Sequence, residues 1–170
     1  MSTRKNKNPR LRLISAIWLL AYYSAITTAN AETLKKAYLD KNKNVHIVTS
    51  RDQDIQVTTK RNATSLKIAP DNKTVAWLVM NNWVAEGDDG PGSEELVIYQ
   101  SGKISSLECH PFIRDYWFRK NGSQIAIDCG GRHFAGTETL YDIKTARKIS
   151  SFYEGDVPLE KRPDWSNGDN

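Results

Sequence analysis

The chain has 170 residues, enough for one domain, and its 39% hydrophobic and 9% aromatic content can supply a core. The net charge of +4 arises at the N-terminus, because five basic residues precede Leu13 and no acid occurs before Glu32. The remaining 139 residues carry 19 basic and 20 acidic side chains, a net charge of −1. This composition excludes an overall excess of basic residues on the folded part and therefore does not support a nucleic-acid-binding face.

Residues 1–31 have the three parts of a secretory signal peptide. Residues 1–12 are polar and basic, residues 13–26 are almost wholly apolar, and Ala29-Asn30-Ala31 places small residues where signal peptidase requires them. The apolar run is shorter than the roughly 20 residues that span a bilayer. We predict cleavage after Ala31 and a periplasmic or secreted mature chain with no stable membrane anchor.

The rest of the chain has the pattern of a β protein. From residue 45 to residue 152, short runs rich in Val, Ile, Thr and aromatic residues alternate with turn residues. Only residues 32–40 could hold one or two turns of a short N-terminal helix. We expect a β-repeat domain at 32–152 and a polar C-terminal tail at 153–170. The predicted strands are 45–50, 55–59, 66–68, 74–80, 96–99, 103–107, 115–118, 124–128, 139–143 and 148–152.

An internal repeat divides this domain. Residues 68–77 lie over residues 118–127, each as a strand, a tight turn and a second strand with an Ala between two large apolar residues. Residues 98–106 lie over residues 143–151, so the two offsets are 50 and 45 residues. A fainter copy begins at residue 42.

Two segments of the repeat resemble a known family. Residues 70–77, Pro-Asp-Asn-Lys-Thr-Val-Ala-Trp, resemble the Ser-Pro-Asp-Gly-Lys-x-hydrophobic-Ala motif of the Tol- and tricorn-type β-propeller repeats. Residues 140–148, Leu-Tyr-Asp-Ile-Lys-Thr-Ala-Arg-Lys, are similar to the Leu-Tyr-Asp strand and Thr-Gly-Lys turn that end such a repeat. Ala69 replaces the motif Ser and Asn72 the motif Gly, and the second copy lacks both Pro and Asp.

The resemblance covers residues 66–152 and implies four-stranded antiparallel units, stacked face to face, that commonly bind a partner and bring no catalytic residues. About two copies are present, whereas a closed propeller needs at least about four blades. The expected fold class is therefore all-β, with stacked, propeller-blade-like units that form an incomplete propeller, preceded by the short helix.

Cys109 and Cys129 are the only cysteines, and both follow the predicted cleavage site. An even pair in an exported chain most simply forms a disulfide. Two alternatives stay open. Cys109, His110, Cys129 and His133 could bind a metal, although adjacent Cys-His ligands depart from the usual spacing. Alternatively, Cys129 could be a hydrolase nucleophile beside Asp128 and His133, without a familiar cysteine-hydrolase signature.

The most unusual stretch is residues 81–95, which contains five acids and no Lys or Arg. Their spacing does not fit a calcium loop. This segment and residues 130–138 follow equivalent strands, so both should emerge on one edge of the stack, here named the long-loop edge. Insertions in repeat folds tend to collect on the binding face, and Trp is a frequent anchor. The candidate partner-binding residues are Trp83, Glu86, Asp88, Asp89, Arg132, His133 and Phe134.

These features predict a non-enzymatic protein-binding module of the bacterial cell envelope. We expect no cofactor, metal or nucleic acid, and the acidic loop favours a protein partner with a basic patch. One alternative is a periplasmic inhibitor or immunity protein directed against a toxin or hydrolase. The other is the Cys/His hydrolase.

Overall fold

The structure, a computed structural model, describes residues 32–60, 62–80, 92–131 and 133–166. These residues form an all-β fold, as the sequence predicts, with two single-turn 3₁₀ helices at Lys120–Gly122 and Leu159–Lys161. The strands are β1 (Leu34–Leu39), β2 (Val45–Thr49), β3 (Asp54–Gln56), β4 (Ala63–Ile68), β5 (Thr74–Val79), β6 (Glu95–Gln100), β7 (Lys103–Glu108), β8 (Ile113–Arg119), β9 (Gln124–Cys129), β10 (Thr137–Asp142) and β11 (Lys148–Tyr153).

The strands form three antiparallel sheets in which consecutive strands pair. Sheet 1 contains β1, β2 and β3; sheet 2 contains β4, β5, β6 and β7; sheet 3 contains β8, β9, β10 and β11. Sheets 2 and 3 are the two propeller-blade-like repeats, and sheet 1 is the fainter copy. Within the described ranges, sheet 1 has no fourth strand and the three sheets do not close into a ring.

The predicted helix at residues 32–40 is wrong, because this segment forms β1. Its pairing with β2 has a bulge between Leu34 and Lys36. A bulge shifts the two-residue alternation of a strand, so Leu34 and Leu39 can both face the core although five positions separate them. That irregular spacing resembles a helical period in the sequence.

Asp side chains close the turns of the motif. Asp71 Oδ1 accepts a hydrogen bond of 2.8 Å from the N–H of Lys73, and Asn72 has a φ of 53°, the left-handed region that the motif's Gly favours. Asp142 Oδ1 likewise accepts a hydrogen bond of 2.8 Å from the N–H of Thr145. The residues that carry the family resemblance therefore set the geometry of the turns.

Two hydrophobic cores lie between the sheets. The first lies between sheets 1 and 2, and the second lies between sheets 2 and 3. The Tyr116 side chain, fully buried in the second core, donates its hydroxyl hydrogen to the backbone oxygens of Ser65 and Ala76, the latter at 2.7 Å. Burial raises the pKa of this phenol well above its ordinary value, so it stays a donor. The first core contains Leu34, Val45, Ile47, Ala63, Val75, Trp77 and Val97, and the second contains Ala76, Leu78, Leu96, Ile98, Leu107, Cys109, Ile113, Tyr116, Ile125, Ile127 and Ile143.

The C-terminal segment, residues 154–166, packs on the outward face of sheet 3. Trp165 is buried in a cluster with Trp117, Ala126 and Leu140, and its ring lies 5.6 Å from that of Phe152. The backbone oxygen of Trp165 accepts a hydrogen bond of 2.7 Å from Trp117 Nε1. The segment therefore covers part of the outward face of sheet 3.

This outward face of sheet 3 carries acidic residues at two positions where the corresponding face of sheet 2 carries leucines. Asp128 and Glu138 are direct neighbours on β9 and β10, at the positions that Leu78 and Leu96 hold on β5 and β6. A polar outward face is what the terminal unit of a stacked repeat needs. In this pairing, β10 of sheet 3 follows β6 of sheet 2 by 42 residues. The offset of 45 residues that the sequence suggested holds only for the fourth strands, β7 and β11.

Candidate binding surface at the long-loop edge

The long-loop edge gathers three connections of sheets 2 and 3. β5 and β9 end there, and the β7–β8 connection lies beside them, since Glu95 pairs with Glu108 and Ile113 pairs with Cys129. His133 and Phe134 lie on the β9–β10 connection, and both are exposed. The other predicted partner-binding residues, Trp83, Glu86, Asp88, Asp89 and Arg132, lie outside the described residues.

A disulfide joins Cys109, which follows β7, to Cys129, the last residue of β9, with 5.9 Å between their Cα atoms. The predicted bridge is confirmed, and it crosslinks sheets 2 and 3 at the long-loop edge. Because both sulfurs are in the bridge, neither is a thiolate in this state. The nucleophile alternative and the metal alternative therefore both lack the sulfur they need.

Replacing both cysteines with alanine should lower the free energy of unfolding by about 3 kcal/mol, because the bridge closes a loop across 20 positions of the chain. Urea unfolding of the two proteins measures the difference. Reductant should destabilise the natural sequence by a similar amount and leave the double variant unchanged. Equal stability of the natural chain and the double variant without reductant would show that the bridge does not constrain the chain.

Phe134 is the most exposed large apolar side chain in the part of the chain that the structure describes, at 74% exposure. Its ring lies against Gly131, where an added Cβ would sit 3.0 Å from the ring. The backbone oxygen of Phe134 accepts a hydrogen bond of 3.1 Å from Arg114 Nη1. The ring is thus exposed to solvent, and the hydrogen bond from Arg114 holds its backbone in place.

The anchors of this loop continue on both sides of Phe134. The N–H of Gly130 donates to the backbone oxygen of Phe112 at 3.0 Å, and the N–H of Gly136 donates to Glu154 Oε2 at 2.5 Å. A Cβ at Gly136 would lie 2.6 Å from the backbone oxygen of Cys129, so no larger residue fits there. These contacts hold both ends of the β9–β10 connection.

A half-buried ion cluster supports the loop. Arg114 donates to Asp128 Oδ1 from Nε at 3.0 Å and from Nη2 at 2.5 Å, and Nη2 also pairs with Glu154. The side chains of Arg114, Asp128 and Glu154 are 24%, 19% and 15% exposed. One guanidinium therefore connects β8, β9, the loop and the start of the C-terminal segment.

The pKa values of the two carboxylates in this cluster are shifted in opposite directions. Burial raises the pKa of Asp128 above its ordinary value, even though Arg114 opposes that shift. Burial also acts to raise the pKa of Glu154, but hydrogen bonds from Gly136 and Arg114 and the charges of Arg114 and Arg162 bring it below its ordinary value. Glu154 is therefore the acid that the cluster holds most firmly in its charged form.

Arg162 extends the cluster from the C-terminal segment. Its Nη1 lies 3.5 Å from Glu138 Oε1 and 3.5 Å from Glu154 Oε1. Glu138 is 3% exposed, and burial raises its pKa above the ordinary value, opposed by Ser166 and Arg162. What the arrangement can do is fix the loop and the C-terminal segment.

Sequence reasoning identified the disulfide and, among the described residues, the exposed positions of His133 and Phe134, but not the ion cluster. Asp128 and Glu154 lie 14 and 40 positions from Arg114, so no local motif joins them. It also missed an open pocket of about 550 Å³ at the opposite edge, between sheet 3 and the C-terminal segment, lined in part by Arg119, Lys120 and Trp165. The C-terminal segment contributes Asp164 and Trp165 to the lining of this pocket, and no repeat pattern indicates that this segment docks there.

The disulfide is compatible with an oxidising compartment outside the cytosol. No helix among the described residues is long and apolar enough to cross a membrane. The predicted signal peptide and its cleavage site lie outside the described residues.

No protein-family model matches the chain, and no curated protein matches it. Among solved structures, the chain is similar to the β-propeller domain of the Trilobed protease from Pyrococcus furiosus, which is described as having an open velcro topology. The sequence identity is 17% and the TM-score is 0.45, over 76% of this chain and 38% of that chain. This chain therefore spans less than half of that structure's length, and its propeller-like, all-β architecture rests on the three sheets described above.

Proposed function

We propose that this protein is an exported, non-enzymatic binding module of the bacterial cell envelope that recognises a protein partner at the long-loop edge. The observation that supports the proposal is the presentation of Phe134, a large apolar side chain with 74% exposure, on a loop fixed by Arg114, Glu154 and a nearby disulfide. An aromatic side chain on a rigid backbone loses little conformational freedom on binding, which is the property of an interface anchor.

Export is part of the proposal and depends on residues 1–31. The sequence of this segment supports cleavage after Ala31, and the disulfide suits an oxidising compartment. An inhibitor or immunity protein would use the same surface, with a toxin or hydrolase as its partner. The identity of the captured protein distinguishes an inhibitor from an adaptor.

Replacing Phe134 with alanine should weaken partner binding by about 2 kcal/mol or more, roughly 30-fold in Kd, because a large exposed aromatic anchor is removed. The mature chain from Glu32 is immobilised, and periplasmic proteins captured by the natural and variant chains are compared by quantitative mass spectrometry. The free energy of unfolding should stay within about 0.5 kcal/mol, since the side chain is exposed.

Leu159→Ala is the matched control. Leu159 is 65% exposed but lies on the 3₁₀ helix of the C-terminal segment. A protein that the natural chain and the Leu159 variant both enrich, and that the Phe134 variant loses, is the partner. If every captured protein is retained by the Phe134 variant, the partner does not bind at this loop.

A further inference from the structure

A groove opens between sheets 1 and 2. It has a volume of about 380 Å³, with residues 57–60 and Asn62 on one wall. Its floor is one face of sheet 2, formed by Trp77 and Val79 of β5, Val97 of β6 and Ile104 of β7. Ile104 is 58% exposed, a high value for an isoleucine on the face that continues a hydrophobic core.

The groove exists because sheet 1 is one strand short of sheet 2. Sheet 1 ends at β3, whereas sheet 2 extends through β6 to β7. The outer part of the sheet 2 face therefore has no opposing strand among the described residues. Ile55, which pairs with the core residue Ile47 and shares its face, is 42% exposed for the same reason.

The outer edge of β3 carries unpaired backbone groups. Gln53 and Val57 bond to β2, since Thr49 N–H donates to the oxygen of Gln53 and Val57 N–H donates to the oxygen of Val45. Alternate residues of an antiparallel strand point their N–H and C=O groups in opposite directions. The backbone groups of Asp54 and Gln56 therefore face away from β2, and no described strand pairs with them. Such an edge accepts an added strand.

The charges at the end of the groove favour a cation. Glu95 and Glu108 are directly opposite each other on β6 and β7, and the register places them on the same face as Val97 and Ile104. Like charges in this position destabilise a sheet unless a cation lies between them. Neither carboxylate belongs to an ion pair in the described part of the chain, and Lys60, on the opposite wall, is the one cation among the described residues that line the groove.

The geometry points to a second binding site, at which an extended segment of a partner protein adds to the free edge of β3 as a fourth strand. Its inward side chains alternate with its outward ones, so that apolar residues cover Val97 and Ile104, and a Lys or Arg lies between Glu95 and Glu108. This site goes beyond the proposed function, because it lies between sheets 1 and 2 and uses the free edge of β3 rather than the Phe134 loop; only its acidic end, Glu95 and Glu108, lies at the long-loop edge.

Synthetic heptapeptides with blocked ends test this inference. The probe is Lys-Thr-Val-Thr-Val-Thr-Lys, in which apolar and terminal basic residues share one face in either strand direction. Titration of the isotope-labelled mature protein, followed by amide NMR shifts, should show binding in the groove, with changes at Asp54, Gln56, Val97 and Ser106. The peptide Glu-Thr-Val-Thr-Val-Thr-Glu should bind about tenfold more weakly or worse, because its acids meet Glu95 and Glu108.

Two variants and a control test separately the contributions of the β3 edge and of the Glu95–Glu108 pair to peptide binding. Gln56→Pro removes an N–H that faces away from β2, so the fold should persist while peptide binding is lost. Glu95→Gln with Glu108→Gln should remove the preference for the basic peptide, whereas Asp156→Asn with Glu160→Gln, which removes two exposed charges from the C-terminal segment, should preserve it. Equal binding of the two peptides, shifts confined to other surfaces, or no binding at millimolar concentration would overturn the inference.

Discussion

Replacing Trp165 with alanine should cost about 3–5 kcal/mol of unfolding free energy, the range for truncating a buried Trp. Trp165 is 9% exposed and fills the space above Trp117, Ala126 and Leu140. Its removal leaves Trp117 facing water and takes away the main apolar contact of residues 154–166. Urea unfolding should show the loss, and trypsin should cut after Lys161 faster than in the natural chain.

Leu159→Ala is the control for this prediction too, because it truncates an apolar side chain of the same segment that is 65% exposed. It should change stability by no more than about 0.5 kcal/mol and leave trypsin cleavage unchanged. If both variants behave alike, the segment is not held by Trp165, and the outward face of sheet 3 is stable without it.

The strands of sheets 2 and 3 could be predicted because their pattern is local. On β5, Val75 and Trp77 face sheet 1 while Ala76 and Leu78 face sheet 3, and tight turns with Asp or Gly separate the strands. β1 could not be predicted in this way, since its bulge breaks the alternation. The position of the C-terminal segment could not be predicted either, because Trp165 contacts residues such as Trp117, 48 positions away.

The candidate site likewise has features that could be predicted from the sequence and features that could not. The disulfide needs only two cysteines in a chain that is predicted to be exported, so the sequence was enough to predict it. The support of the Phe134 loop depends on Arg114, which lies 20 positions from Phe134 and 40 from Glu154. The groove beside β3 arises because, within the described ranges, sheet 1 has three strands and sheet 2 has four, which becomes visible only when the sheets are compared.

Replacing Arg114 with leucine should cost about 3 kcal/mol at pH 7, because it leaves the largely buried carboxylates of Asp128 and Glu154 without their shared cation. Lys35→Met is the matched control, since Lys35 pairs with Asp52 at 2.7 Å but the two side chains are 50% and 75% exposed. An exposed pair of this kind contributes about 0–1 kcal/mol, so the control should be nearly neutral.

The cost of the Arg114 variant should shrink as the pH falls. In the natural chain, the pKa of Glu154 is lowered on folding, so its contribution is present above its ordinary pKa and is lost as the pH falls through the folded value. Without Arg114, the pKa values of Glu154 and Asp128 should rise, so the folded variant takes up protons and sheds the unpaired charges. The difference in stability between the two proteins should therefore be largest near pH 7 and decrease towards acid pH.

Neutralising the acids separates the lost cation from lost packing. Adding Asp128→Asn and Glu154→Gln to Arg114→Leu should recover part of the stability at pH 7 and remove the pH dependence, because the buried charges are gone. A cost that does not change with pH, or no recovery in the triple variant, would mean that Arg114 acts through packing alone. The triple variant still lacks the hydrogen bond from Arg114 to the Phe134 backbone. If stability returns while partner capture does not, the guanidinium has two separable roles: it neutralises the acids, and it holds Phe134 in position.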